Sequence, residues 1–505
     1  LFKFYNMKKI INFKSALFLL VMLATMGGCK KFLDQKPLGA TIDDLNQGGI
    51  EAEVFGCYSY MRNNTGFVGI SWLAFHDFRS DDSEKGSDPS DGQEWVAPFD
   101  TYLYVKNIWA NDVYWDNHVQ LINLANTAMA KADSLGVDDV TTRANIGEAK
   151  FFRASAYFDM VRTYGSVPIY KIPTASAADL CVQKGTIAEV YALIDEDLAY
   201  AAANLPADWG SAYQGRLTSG AALALHAKAH LYRQNWGTAL GLCQQVMARP
   251  QYGLHDSYYM IFKDAGENSK ESIFEIQAYV SPDGSKNLGC EFATTQGVRA
   301  SQASGWNLGW GWNTPTDALV AAYEIGDVRK PSTILFSGQS DDPTYGGYGR
   351  TLPAHVSAGG PLPRKYWNKK IYADPAYRQS TGMSDNPRWI NKRVIRFSDV
   401  VLMAAEASNE LGQGATGIDW LNDVRNRAGL GDKTYTTQLQ LRNDIKHERR
   451  VEFGVEGERF FDLVRWGDAV NVLGGLGYTN RCRFYPIPQK VVDACPGVIQ
   501  QNPEW

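Results

Sequence analysis

The sequence predicts a mainly α fold: a tetratricopeptide-like, superhelical scaffold of helix pairs that carries long irregular loops and a few short strands. Three observations predict it. Apolar residues recur at spacings of three and four through much of 119–248 and again from 398. Small residues crowd facing helix surfaces. Between these regions, 251–393 is rich in Gly, Pro, Ser, Asn and aromatic residues, with little regular pattern.

Composition sets the outer limits. The 505-residue chain is 45% apolar and 21% charged, which is ordinary for a folded protein. A formal charge of -5 supplies no basic field to attract phosphates, so no nucleic-acid partner is expected. The aromatic load is high, at 14 Trp, 26 Tyr and 22 Phe. Most of these rings must fill the core, and the remainder is available to a binding surface.

The N-terminus reads as an export signal. Lys8, Lys9 and Lys14 precede an apolar run, Ala16 to Ala24, about half the length needed to cross a bilayer. Met26-Gly27-Gly28-Cys29 follows and resembles a lipobox, so residues 1–28 are expected to be removed and Cys29 to carry the lipid.

The elements then follow in order. Helical patterns cover 119–134 and 148–164. In the second, Phe151, Ala154, Phe158 and Val161 share a face that Phe152, Ala156 and Met160 widen, so this helix should lie between neighbours; Gly165 and Val167-Pro168 end it. Helices are also expected at 187–204, 219–234 and 238–248. The last two form a hairpin broken by Asn235-Trp236-Gly237 and closed by Pro250, with alanines at 221, 222, 224, 227 and 229 permitting close backbone approach. Within 251–393, only stretches such as Ser272–Val280 and Thr316–Glu324 suggest regular structure; loops this long are more often functional than idle. Order returns at Ser398-Asp399, read as a cap for a helix through Ala407, followed by helices over 417–427 and from near Thr437. The mature chain therefore divides into an N-terminal helical part, 29–250, and a C-terminal part, 251–505, packed as one globular unit.

Several constellations invite chemistry. Among Cys57, Cys181, Cys243, Cys290, Cys482 and Cys495, the first disulfide candidate is Cys482–Cys495, the alternative being buried free thiols. His76-Asp77, Asp81-Asp82, Glu84, Asp88 and Asp91 offer hard oxygen ligands for a structural Ca²⁺, or simply a solvated loop, since EF-hand spacing is lacking. Seven scattered His give no recognisable zinc set, and no phosphate loop, dinucleotide fingerprint or nucleophile elbow occurs, so no catalytic residue, metal or cofactor is assigned. Glu448, Glu452 and Glu456 recur every four residues near Arg449, Arg459 and Arg465. Two of these carboxylates could serve a glycosidase, but arginines so close would keep them ionised, which favours an ion-pair network.

That same C-terminal string, Glu448-Arg449-Arg450-Val451-Glu452-Phe453 followed by Glu456-Gly457-Glu458-Arg459-Phe460-Phe461-Asp462-Leu463-Val464-Arg465-Trp466-Gly467, resembles the hallmark of SusD/RagB lipoproteins. Cys29 through Pro37, Trp115 with Ile122 and Ala125-Asn126, Glu148 through Ala154, Arg396 through Ala407, Asn422 through Leu430, and Pro486-Ile487-Pro488 through Pro503 are similar to further family motifs in the family's order. The resemblance implies a tetratricopeptide-like fold whose variable loops form the ligand site. It also implies a lipoprotein of the outer membrane, exposed at the cell surface, that binds oligosaccharide or polysaccharide and delivers it to a SusC-like TonB-dependent β-barrel transporter. A RagB-like peptide binder is the nearest alternative and a glycoside hydrolase the distant one.

Sugar recognition calls for exposed rings against pyranose C–H faces and for polar groups at the hydroxyls. In Gly305-Trp306-Asn307-Leu308-Gly309-Trp310-Gly311-Trp312, Trp alternates with small or flexible positions. Trp306 and Trp310 are accordingly candidate platforms. Tyr345, Tyr348, Arg350 and Trp367 extend the candidate site, and Trp95 completes it from the N-terminal part, while Trp312 reads as a scaffold position.

Overall fold

The computed structural model describes residues 49–301, 304–356, 362–382 and 387–505. The signal peptide and Cys29 lie outside the described residues. The larger helices are α1 (Ile50–Asn63), α2 (Trp109–Leu135), α3 (Val140–Tyr164), α4 (Ile187–Asn204), α5 (Ser219–Tyr232), α6 (Trp236–Met247), α7 (Phe397–Glu410), α8 (Gly414–Arg427), α9 (Gln438–Glu452) and α10 (Arg459–Trp466). Neighbours in sequence pack as antiparallel pairs: α2 on α3, α3 on α4, α4 on α5, α5 on α6 and α7 on α8, with α6 against α7 joining the two sets. This is the helix-pair scaffold expected from the sequence.

Local signals explain the boundaries. Asp139 accepts a hydrogen bond from Thr142 N at 2.7 Å to start α3, and Gly165, at φ 74°, ends it. The helix between is buried on nearly every side. The buried guanidinium of Arg153 is matched by Asp197 on α4 at 2.7 and 2.8 Å and by Asn126 on α2 at 2.8 Å. Helix α4 opens with a reciprocal capping box between Thr186 and Glu189, and α9 with the Thr437 hydroxyl accepting from Gln440 N. The alanines of α5 are fully buried against its neighbours.

Helix α7 departs from its predicted start. Its N-cap is Arg396, without a side-chain cap bond. Ser398 accepts from Arg396 Nη1 at 2.6 Å, and Asp399 is claimed by Lys228 at 3.1 Å and Arg449 at 2.8 Å, so neither is free to cap.

The described strands form two-stranded antiparallel pieces. Three matter here: β1 (Ser83–Gly86) with β3 (Trp312–Pro315), β2 (Ser272–Ile276) with β6 (Lys392–Arg396), and β4 (Ile334–Phe336) with β5 (Tyr366–Asn368). One large core runs through the helices and draws on both halves of the chain. A smaller core of Val298, Trp306, Leu308, Leu335, Leu352, Leu362, Trp367 and Tyr372 sits under the loops.

The disulfide expectation is corrected. Cys495 bonds to Cys181, with Cα atoms 5.2 Å apart, because the helix Gln489–Ala494 delivers it against the turn Ala177–Leu180. Cys482 instead faces inward, its sulfur 4.0 Å from the Tyr102 carbonyl oxygen, and is a buried thiol like Cys57, Cys243 and Cys290.

Candidate functional site

The charged C-terminal string forms an ion-pair network, as its arginines suggested, but with different partners. Helix α9 ends at Glu452, and the chain turns through Val455 (φ 58°) and Gly457 (φ 86°) before α10. A Cβ at residue 457 would lie 2.5 Å from the Trp72 ring, so glycine is required there. Glu456 consequently leaves the helix line and pairs with Arg396 and Lys370. Glu448 meets Arg329 at 2.6 Å and Arg425 at 3.1 Å. Glu452 meets Arg427 at 2.6 Å, Arg396 at 2.8 Å and Arg329 at 3.2 Å. Arg449 and Arg465 turn instead to Asp462, the first also to Asp399 and the second to Glu406. Burial alone would raise the Glu452 carboxyl, but Arg427, Arg396 and Arg329 outweigh it and hold the group well below the usual carboxylate range.

The proposed Ca²⁺ loop is likewise corrected. Arg450 and Arg459 pair with Asp81, both at 2.8 Å, and Arg450 also lies 2.6 Å from Asp82. Glu84 pairs with Arg364, and Asp91 with Arg299. Asp77 accepts from Gly457 N at 2.9 Å and from Asn313 at 3.0 Å, Asp88 accepts from Ser90 N at 2.9 Å, and His76 faces the Tyr114 hydroxyl at 3.0 Å. These oxygens point to separate protein donors rather than converge on one ion. The reading of a solvated loop fails too, since Asp77 and Asp82 are buried.

The aromatic candidates fall into two groups. Trp306 and Trp367 are 3% and 0% exposed. Trp306 stacks on Tyr372 with centroids 5.8 Å apart, carries the Arg350 guanidinium 4.0 Å from its ring centroid, and donates Nε1 to the Thr351 carbonyl at 2.9 Å. Trp367 donates to the Ser337 hydroxyl at 3.1 Å. Both rings therefore belong to the smaller core and offer no open platform. Arg350 and Tyr348 are half-buried around them: Arg350 also donates to the Gly305 carbonyl, and Tyr348 sets its ring edge-on to Tyr372 at 5.0 Å. Tyr345 is half-buried in the turn Pro343–Tyr345. Trp312 is core, as its scaffold reading required.

Trp310 differs, being 40% exposed. The β1–β3 ladder, with Ser83 opposite Pro315, Glu84 opposite Thr314 and Gly86 opposite Trp312, brings the N-terminal loop against it. Ser87 donates to the Trp310 carbonyl at 2.9 Å and accepts from Arg299 Nη1 at 2.7 Å, while Arg299 also pairs with Asp91. Arg364 ties the same loop down through Glu84 and the Gly86 and Ser87 carbonyls. Gly311, at φ 80°, permits this crossing, because a Cβ there would sit 2.6 Å from Arg299 Cβ. On the other side, half-buried Trp95 packs against Trp312 at 5.6 Å and edge-on to Trp109 at 5.2 Å, and Trp109 is 46% exposed. Trp310 is thus an exposed ring on a braced loop, and its backbone carbonyl is linked through Ser87 to a partly exposed Arg299–Asp91 pair. Trp109 and Arg299 escaped the sequence reading, since neither belongs to a motif and only the ladder puts Arg299 beside Asp91.

A second group also went unread. His226 and His230, four residues apart on α5, converge with Asp195 of α4. The His-x-x-x-His spacing was visible, but the third member lies 31 residues before His226.

A mostly helical scaffold of paired helices bearing a loop-built surface is the architecture of SusD-like proteins. The SusD family model matches residues 270–481, and a second, described as "Starch-binding associating with outer membrane", matches residues 81–231; the chain belongs to the SusD family. SusD-like protein P25 of Formosa agariphila is 24% identical over 525 residues, covering 94% of this chain and 95% of the relative. The starch-binding protein SusD of Bacteroides thetaiotaomicron is 25% identical over 411 residues, covering 70% and 71%. A solved laminarin binding SusD-like protein superposes with a TM-score of 0.72 at 26% identity, over 90% of this chain and 99% of that one.

Proposed function

We propose that this chain is a cell-surface lipoprotein, anchored in the outer membrane through Cys29, that binds oligosaccharide or polysaccharide and delivers it to a SusC-like TonB-dependent transporter. The observation that carries the glycan reading is the exposed Trp310 ring on a loop whose backbone is tied through Ser87 to the Arg299–Asp91 pair. A pyranose stacks its C–H face on such a ring, and a guanidinium with a carboxylate can bind vicinal hydroxyls as donor and acceptor. Trp95, Tyr345, Tyr348 and Arg350 on the loops, with Trp109 at the start of α2, are the other candidates for contact. Family membership supports the reading, as do relatives described as binding starch and laminarin, both polysaccharides.

A binder rather than a hydrolase is favoured by the state of the C-terminal carboxylates. Glu448 and Glu452 are buried among arginines, where neither can reach a substrate, and Glu452 is held ionised. A lipid-held protein does not itself carry a hydrophilic solute through a bilayer, and no described helix is long and apolar enough to cross one. The barrel partner follows from the family resemblance.

Incubating the purified protein with a panel of polysaccharides and peptides, scoring both retention and product release, tests the reading. Retention of a glycan unchanged is expected. Retention of peptides alone would make the chain RagB-like, and released oligosaccharide would make it a hydrolase. Palmitate labelling tests the anchor: Cys29→Ala should lose both label and membrane retention.

A further inference from the structure

Away from the loop platform, three ligand-type atoms meet between helices α4 and α5. His226 Nε2 lies 3.2 Å from Asp195 Oδ1, His230 Nε2 lies 3.6 Å from the same oxygen, and the two Nε2 atoms are 3.1 Å apart. A tetrahedral ion with bonds of about 2.0 to 2.2 Å sets its ligand atoms about 3.3 to 3.5 Å apart, close to all three edges of this triangle. The helical i, i+4 spacing puts both imidazoles on one face, and the α4–α5 contact supplies the carboxylate. We propose that Asp195, His226 and His230 form a binding site for a divalent transition-metal ion, with Zn²⁺ the occupant suited to two imidazoles and one carboxylate.

The chemistry of the triangle favours a cation over a simple hydrogen-bonded chain. His230 Nδ1 faces Arg233 Nη2 at 3.2 Å and Asn235 Nδ2 at 3.3 Å, so in the metal-free protein this nitrogen accepts and the ring proton sits on Nε2. That proton can serve either His226 Nε2 or Asp195 Oδ1, but not both well. If His226 accepts it, the His226–Asp195 edge brings two lone pairs together; if both rings donate to Asp195 Oδ1, two N–H groups face each other across the 3.1 Å edge. A metal ion satisfies all three atoms at once. His230 Nδ1 must then carry a proton, so Arg233 Nη2 gives up its contact with that nitrogen and keeps Asp195 alone, while a turn of the Asn235 amide presents its oxygen to the N–H, the usual outer partner of a metal-bound imidazole.

Arg233 is the competing cation. It donates to Asp195 Oδ2 at 2.7 Å and Oδ1 at 2.6 Å and is pinned by the Ala229 carbonyl at 3.0 Å. Asp195 Oδ1 retains a second lone pair for a metal, and Oδ2 keeps the guanidinium as an outer partner. The imidazoles are 11% and 12% exposed and the Asp195 side chain 31%. Arg233 also lines a cleft of about 710 Å³ with Tyr191, Tyr232 and Trp466, while solvent reaches the triad through the partly exposed Asp195 side chain. Occupied, the site would cross-link α4 to α5 within the helix scaffold, independently of glycan binding.

The test uses the mature protein stripped with EDTA and titrated with Co²⁺, then Zn²⁺. Strong visible absorption of four-coordinate Co²⁺, bleached by Zn²⁺, is expected, together with a Zn²⁺-dependent rise in Tm. His226→Ala and His230→Gln should each weaken binding by about 100-fold or more, since loss of an outer partner alone costs 10- to 100-fold. His230 lies in the last turn of α5, so His230→Gln leaves the helix pair intact, with far-UV circular dichroism as the check on folding. Absence of both the absorption and the Tm shift in the parent protein overturns the proposal. So does undiminished binding in folded His230→Gln.

Discussion

Replacing Glu452 by Gln keeps the shape of the side chain and removes one buried charge, which makes it the sharpest probe of the C-terminal network. Three guanidinia contribute charge-assisted hydrogen bonds at 2.6, 2.8 and 3.2 Å. At about 1.5 to 3 kcal/mol each, these bonds would sum to about 5 to 9 kcal/mol if nothing else compensated. Other carboxylates do compensate. Arg329 retains Asp327 and Glu448, Arg396 retains Glu271 and Glu456, and Arg427 retains Glu271. The cost of Glu452→Gln therefore falls to about 3 to 5 kcal/mol, the range for removing one partner of a buried pair. With an unfolding entropy of about 2.1 cal/mol/K per residue, a chain of this size loses roughly 3 to 5 °C in Tm. Urea unfolding and calorimetry of parent and variant, with glycan binding measured below the transition, supply the assay. A midpoint free energy unchanged within about 0.5 kcal/mol would refute the ion-network argument. Glycan cleavage present in the parent and lost in Glu452→Gln would refute the structural role altogether.

The loop platform gives a paired test. Trp310→Ala should weaken binding of a retained glycan by about 1 to 3 kcal/mol with little loss of stability, whereas buried Trp306→Ala should destabilise the fold by about 3 to 5 kcal/mol; the reverse pattern in titration calorimetry and melting would exchange their roles. Burial pushes the Asp77 carboxyl up to about 7, against the bonds from Gly457 and Asn313 and the charge of Lys392. Its raised value means the fold holds an extra proton, so this stabilisation is complete below about pH 4 and is lost as pH rises through about 7. Asp77→Asn should accordingly flatten that decline, by up to about 1.4 kcal/mol per pH unit, and equal slopes in denaturant midpoints from pH 4.5 to 8 would contradict it. Cys181→Ser or Cys495→Ser should lower stability by about 2 to 5 kcal/mol, since the bond closes a loop of 314 residues, while Cys482→Ser should not mimic reduction of the protein.

The helices were legible because a helix buried between neighbours leaves its period in the sequence. Helix α4 was read to both ends, Ile187–Asn204, because its apolar period begins and stops with it. Side-chain direction in the loops was not legible. Trp306, Trp310 and Trp312 alternate with Asn and Gly in one short run, and what separates buried from exposed is Tyr372 and Arg350 closing over Trp306 from distant segments. Ion-pair partners fail for the same reason: proximity in sequence suggested Arg449, Arg459 and Arg465 for Glu448 and Glu452, whereas Arg329, Arg396, Arg425 and Arg427 arrive from three other places in the chain.

The strand pairing beneath Trp310 has a consequence for the order in which the protein acquires its working parts. Ser83 and Asn313, bonded across the β1–β3 ladder, are 230 residues apart. The helix pairs close over short connections and can form as soon as their own residues are free to fold, but this pairing waits on the entropy of a very long loop. A chain folding from its N-terminus thus builds α1 to α6 while the segment opposite β1 is still missing. It has a helix scaffold, and no partner for β1, until more than half its length has been delivered.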